Sequence, residues 1–203
     1  PVMMQYASDE QKARYLPPMA AGEEIWCQLF SEPSAGSDVA GLRSKAVKDG
    51  DDWIINGQKV WTSGAHFCDY GIIVVRHDAN VDKHAGMTFF FIDMKSTGID
   101  IKPIKQITGG SSFNEVYFND VRVPDSQRLG AVGDGWRVAI TTLMNERLAV
   151  GDATGADVEE ALVWAKKQDN QGQLMIKNTA VRTSIADWYC QASGLKNTKL
   201  RTM

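Results

Sequence analysis

The residues best suited to chemistry lie in one stretch, Ser31-Glu-Pro-Ser-Ala-Gly-Ser-Asp38, with three serine hydroxyls and several main-chain amides in eight positions. Hydroxyls and amides gathered in this way can hydrogen-bond a phosphate or the rim of a planar polar ligand. The same composition suits an ordinary β-loop whose Ser and Asp side chains bond their own backbone. Residue types alone leave both roles open. Other chemistry is poorly provided for. The loop holds no G-x-S-x-G elbow, and His66, His77 and His84 lack the paired spacing of zinc ligands. Gly109-Gly110 and Gly133-Asp-Gly135 are not Walker loops and are expected at a turn or a helix start.

The elements that must position this loop belong to an ordinary soluble chain. Of 203 residues, 43% are hydrophobic and 23% charged, which excludes disorder and fibrous architectures. The formal charge is −3 and the Lys and Arg residues are scattered, so no basic face marks a nucleic-acid partner. Cys27, Cys68 and Cys190 form an odd set without CxxC spacing, and buried free thiols in a reducing compartment are the expectation. No apolar run reaches the ~20 residues of a membrane span and nothing resembles a signal peptide, so a soluble intracellular location is expected.

Ser8-Asp-Glu-Gln11 has capping-box spacing and predicts a helix over residues 9–16, ended by Pro17-Pro18. From residue 25 to about residue 124 the texture is β. Strands are expected over residues 25–31, 42–48, 53–55, 59–63, 71–76, 87–93, 99–104, 113–118 and 121–123, with hairpin signals at Asp49-Gly50 and Asn56-Gly57. The spacing argues for an antiparallel barrel or sandwich, and the lack of strand–helix alternation disfavours a Rossmann sheet. Trp136, Ile140, Leu143 and Arg147 then fall on one stripe of a helix running from residue 136 to about residue 151, which predicts partial burial of Arg147. Further helices are expected over residues 157–167 and 180–191. The class is α+β: an antiparallel β-barrel or sandwich flanked by helical regions.

Trp26-Cys-Gln-Leu-Phe-Ser-Glu-Pro-Ser-Ala-Gly-Ser-Asp-Val-Ala40 closely resembles the signature segment of the acyl-CoA dehydrogenase family. Asp52-Trp-Ile-Ile-Asn-Gly-Gln-Lys-Val-Trp-Thr-Ser-Gly64, Phe113-Asn-Glu-Val-Tyr-Phe-Asn-Asp-Val-Arg-Val-Pro124, Leu129-Gly-x-x-Gly-x-Gly-Trp136 and Leu143-Met-Asn-Glu-Arg147 follow in the family's order. The resemblance implies the end of an N-terminal helical domain (1–24), a middle β domain (25–130) and the start of a C-terminal helical domain (131–203). The chain begins at Pro1 inside helix-like sequence and stops straight after a basic stretch, so a fragment of a larger protein is expected. The resemblance also implies FAD as cofactor, an acyl-CoA substrate, electron-transfer flavoprotein as acceptor and a homo-oligomeric parent.

Residue by residue, the resemblance puts Gln28, Phe30 and Ser31 along the flavin, with Phe30 and Ser31 nearest its ring. It puts Ser37 by the ribityl chain and the substrate's pantetheine. Trp61 would cover one flavin face, with Thr62 beside it and the Ser63 hydroxyl near N5. The implied reaction is α,β-dehydrogenation as in β-oxidation: a carboxylate takes the α-proton while the β-hydrogen leaves as hydride. That base matches either Glu146 or a position on a helix beyond Met203, and Arg147 matches a substrate-site position. A related flavoprotein oxidase, or a non-catalytic β-sandwich binding module, are the other readings. Two departures stand out. Gln168 and Gln171 replace the arginine and phenylalanine of the family's R-x-x-F-G segment, and Met144 replaces a common acidic residue. The isolated chain is expected to hold FAD weakly and not to turn over.

Overall fold

The computed structural model describes residues 1–150 and 157–202, in two compact units, Pro1–Leu143 and Met144–Met203. The predicted helix end at residue 151 lies outside the described residues.

The first unit is built on one seven-stranded sheet: β1 (Trp26–Leu29), β2 (Lys45–Asp49), β3 (Asp52–Ser63), β4 (Tyr70–Arg76), β5 (Met87–Asp93), β6 (Ile99–Ile104) and β7 (Phe113–Pro124). The expected α+β class holds. Antiparallel pairing holds for β2–β3, β3–β7, β6–β7 and β4–β5, but β1 and β2 both run parallel to β4. β5 occupies one edge of β4 along its whole length, so β1 and β2 share the other edge end to end. The serine-rich loop is the connection between those two strands.

Alternation sorts the side chains into two cores. Ile73, Val75, Phe90 and Ile92 point to one face, with Leu29, Ile55, Val116 and Phe118. Val74, Phe89 and Phe91 point to the other, where Met3, Phe30, Leu42, Leu129 and Val138 cover them. That second face is closed by α1 (Val2–Tyr6), α2 (Asp9–Ala21) and the start of α3 (Gly135–Val150). A Cβ on Gly135 would stand 2.6 Å from the Met87 carbonyl carbon and the Thr88 nitrogen, so only glycine lets α3 begin against the backbone of β5.

Three sequence expectations need correction. The Ser8–Gln11 capping box is present, but α2 runs through Pro17-Pro18 to Ala21 and stops at Gly22 in the left-handed region. Tyr15, Leu16 and Met19 pack against the outer core on both sides of the prolines, offsetting the ~3 kcal/mol an interior proline costs. Asp49-Gly50 does turn β2 into β3, whereas Asn56-Gly57 makes no hairpin. Instead β3 and β7 are two long strands whose irregularities face each other: Asn56 exchanges two hydrogen bonds of 2.9 Å with Asp120. Among the cysteines, Cys27 and Cys68 are buried, but Cys190 is exposed.

In the second unit, α4 (Val158–Ala165) is capped by the Asp157 side chain, which accepts from Glu160 N at 2.7 Å. α5 (Thr179–Thr202) extends well past the predicted residue 191. Among the described residues no helix is long and apolar enough to cross a membrane, and no group of three or more His, Cys, Asp or Glu could hold a metal ion.

Candidate functional site

The end of β3 breaks the alternation of the sheet. Lys59 pairs with Val116 and Thr62 with Asn114, so Val60 and Trp61 together face the single residue Glu115 across β7. The bulge places Lys59 and Val60 both inside and turns Trp61 out, 59% exposed, with φ at 61°. For a bulky L-residue that left-handed conformation is strained, and such strain persists only where the surroundings enforce it. The Trp61 indole leans edge-on against Phe113 with ring centroids 6.1 Å apart. Val60 N donates to Ser31 O at 2.9 Å, which fastens the bulge to the residue that opens the serine-rich loop. That bond ties the end of segment 28–31 to the residue just before 61–63.

Beneath these segments lies a buried ion pair. Lys59 Nζ is fully buried and donates to Glu32 Oε1 and Val74 O, each at 2.8 Å, and to Phe30 O at 3.1 Å. Glu32 also accepts from Arg43 N at 2.6 Å and Ser44 N at 3.0 Å. Desolvation works to raise the Glu32 carboxyl, but the Lys59 charge and these donors outweigh it and hold it below the usual range. Desolvation pulls the Lys59 ammonium down, with Glu32 opposing. The loop is tied further on: Arg76 donates to Ala40 O at 2.6 Å and Leu42 O at 3.1 Å, and Lys83 bonds Asp38 at 3.1 Å.

Beside residues 61–63 a cavity of about 490 Å³ is lined by Ile25, Trp26, Ser63, His66, Phe67 and Ser112, among others. Trp26 stacks on Tyr70 with centroids 4.9 Å apart. Trp26 Nε1 and Thr62 Oγ1 are buried and, among the described residues, without a hydrogen-bond partner. Hydrogen bonding to Cys68 and burial push the Cys27 thiol up, so it is an inert core group rather than a nucleophile.

The family model for "Acyl-CoA dehydrogenase, middle domain" matches residues 27–121, and that for "Acyl-CoA dehydrogenase, C-terminal domain" matches residues 133–203. The chain belongs to the acyl-CoA dehydrogenase family. Acyl-CoA dehydrogenase FadE34 of Mycobacterium tuberculosis is 46% identical over 185 residues, 87% of this chain and 26% of that protein. The solved Tcur3481-Tcur3483 steroid ACAD G363A variant is 31% identical with a TM-score of 0.86, covering all of this chain and 52% of that one. The ChsE4-ChsE5 complex from Mycobacterium tuberculosis is 32% identical with a TM-score of 0.80, covering 98% and 52%. The chain thus spans about a quarter of FadE34 and about half of these solved acyl-CoA dehydrogenases.

Against the family's pattern, Trp61 and Ser63 are exposed, Thr62 is buried, and Gln28 and Ser31 are half-buried. The Phe30 ring is buried edge-on against Phe89, 5.6 Å between centroids, so toward an outside ligand it has only its main chain. Ser37 is exposed on the loop. Glu146 and Arg147 belong to the second unit and both are exposed. Partial burial of Arg147 is therefore overturned: the stripe's core packing ends at Leu143. Lys59, Glu32, Asn114 and His66 went unnoticed as a set. One signal existed, a lysine at an inward position of a strand whose preceding inward residues are Trp53 and Ile55.

Proposed function

We propose that the full-length protein is an FAD-dependent acyl-CoA dehydrogenase that converts an acyl-CoA thioester to its 2-enoyl-CoA, and that this chain supplies one wall of the flavin site. Trp61 carries the reading: an exposed aromatic side chain held in a strained backbone conformation beside hydroxyls and main-chain donors. The residues present fit a flavin. Trp61 offers a flat apolar face, Ser63 a hydroxyl, and buried Thr62 an oxygen without a partner among the described residues, in the same segment. Bound FAD supplies the acceptor for the hydrogen that leaves the β-carbon with its electron pair.

The chain's own residues divide the remaining work. Trp61 would cover one ring face and exclude water from it. Ser63 would donate at the N5 edge, while Ser31, Gln28 and the Phe30 main chain would bond the polar rim. Ser37 would meet the ribityl chain and the pantetheine arm. Glu146 would take the α-proton, made acidic by hydrogen bonds to the thioester carbonyl, with Arg147 at the substrate. We assign residues 1–24, 25–130 and 131–203 to the family's N-terminal, middle and C-terminal domains. Likeness to a steroid ACAD supports a steroid-derived acyl group, and likeness to the ChsE4-ChsE5 complex supports assembly with a second, related chain. Electron-transfer flavoprotein would be the acceptor.

The test is anaerobic mixing of the full-length protein with straight-chain and steroid-derived acyl-CoAs while the flavin band is followed. Bleaching supports the dehydrogenase, and rapid hydrogen peroxide formation on readmitting oxygen would favour an oxidase. Glu146→Gln should abolish the bleaching. Near-normal reduction in that variant would move the base elsewhere in the full-length protein.

A further inference from the structure

The strained segment 61–63 is held by a short relay of side chains. Asn114 on β7 is fully buried and pairs with Thr62 across the sheet. Its Nδ2 donates to Thr62 O at 2.9 Å and to Ser112 O at 3.4 Å. Both partners are carbonyl oxygens and can only accept, so the amide nitrogen must face them and Oδ1 must face away. Oδ1 lies 3.1 Å from His66 Nδ1. An amide oxygen also only accepts, so Nδ1 must carry the hydrogen. In the neutral ring this leaves the lone pair on Nε2. Gly64 N donates to Ser112 O at 2.8 Å, so the same carbonyl also holds the end of the segment.

We propose that His66 and Asn114 are positioning residues that lock residues 61–63 in the conformation presenting Trp61 and Ser63. Thr62 O belongs to the peptide joining Thr62 to Ser63. Clamping it fixes the bulge on one side and the Ser63 hydroxyl on the other. His66, Ser63 and Ser112 line the same cavity of about 490 Å³, so the clamp forms part of its wall. The purpose of the clamp rests on the flavin reading; its mechanics do not.

The 203-residue chain is the material for the test, by NMR. Asn114→Leu should speed exchange of the Gly64 amide by roughly tenfold, the loss of about one hydrogen bond, and shift or broaden the Trp61 indole signal. Amides of the β4–β5 pair should stay as they are. His66→Phe keeps an exposed ring but removes the Nδ1–H donor and should act at the same place, while His66→Gln, whose amide can donate in place of Nδ1–H, should restore it. If Asn114→Leu fails to fold, the two His66 variants decide. Unchanged exchange and an unchanged Trp61 signal would overturn the proposal, as would equal loosening at β4–β5 or failure of His66→Gln to restore. FAD uptake by the full-length protein is read separately: no uptake would defeat the flavin reading and leave the clamp standing on the exchange data.

Discussion

Lys59 Nζ and Glu32 Oε1 are 2.8 Å apart and buried, directly under the point where the serine-rich loop leaves β1. The pair joins β3 to that loop and, through the Lys59 bonds to Phe30 O and Val74 O, to the end of β1 and to β4 as well. Removing one partner leaves an uncompensated buried charge. Lys59→Met should therefore lower the unfolding free energy of the chain by about 3–5 kcal/mol in urea titration. Adding Glu32→Gln to Lys59→Met should recover part of that loss. Equal destabilisation by the single and the double variant would contradict this account.

Asp125 contributes to the acid sensitivity. The Arg128 guanidinium, with the Trp53 indole at 2.6 Å and Lys48, holds its carboxyl far below the usual range. A depressed folded-state pKa contributes stability that is present above the unfolded value, about 3.9, and lost as pH falls through the folded value. The stability gap between the chain and Asp125→Asn, followed by Trp fluorescence in urea, should accordingly be full at neutral pH and shrink below about pH 4. A gap that widened in acid would show the sign to be wrong.

Trp61 should separate stability from binding. Asparagine tolerates the left-handed region, so Trp61→Asn should leave the chain as stable or up to about 1 kcal/mol more stable. The same substitution in the full-length protein should weaken FAD binding by roughly tenfold, as an aromatic contact is lost. Thermal unfolding and flavin titration measure the two effects independently.

At the start of α3, Gly135→Ala should cost about 1–3 kcal/mol, because the new methyl meets the Met87 and Thr88 backbone and the helix must shift. Thermal unfolding of the chain would read this directly, and an unchanged midpoint would mean that α3 begins elsewhere.

Much of the sheet was legible because its strands carry their own signals. Residues 87–93 and 99–104 were delimited to the residue, the first by a run apolar but for Thr88 and the closing Asp93 and buried on both faces. The Asn-Gly signal at Gly57 misled because φ there, 148°, serves a cross-strand irregularity rather than a turn. The serine-rich loop stood out by its hydroxyls and amides, but Trp61 and Ser63 were marked only by family resemblance, since alternation by itself would bury Trp61 with Trp53, Ile55 and Lys59. The relay from His66 to Asn114 to Thr62 joins residues 48 and 52 positions apart, a juxtaposition created by β3–β7 pairing and invisible to local pattern. Arg147 was misjudged because a helical stripe says which side faces the core, not where the core ends.

The central claim is that residues 28–31 and 61–63 form one wall of a flavin site. Amide exchange of the full-length protein, measured by mass spectrometry with and without FAD, tests it most directly. Selective protection by FAD of peptides covering residues 26–38 and 58–64, with β6 unchanged, is the predicted result. FAD bound with both peptides unprotected, or no FAD taken up at all, would contradict it.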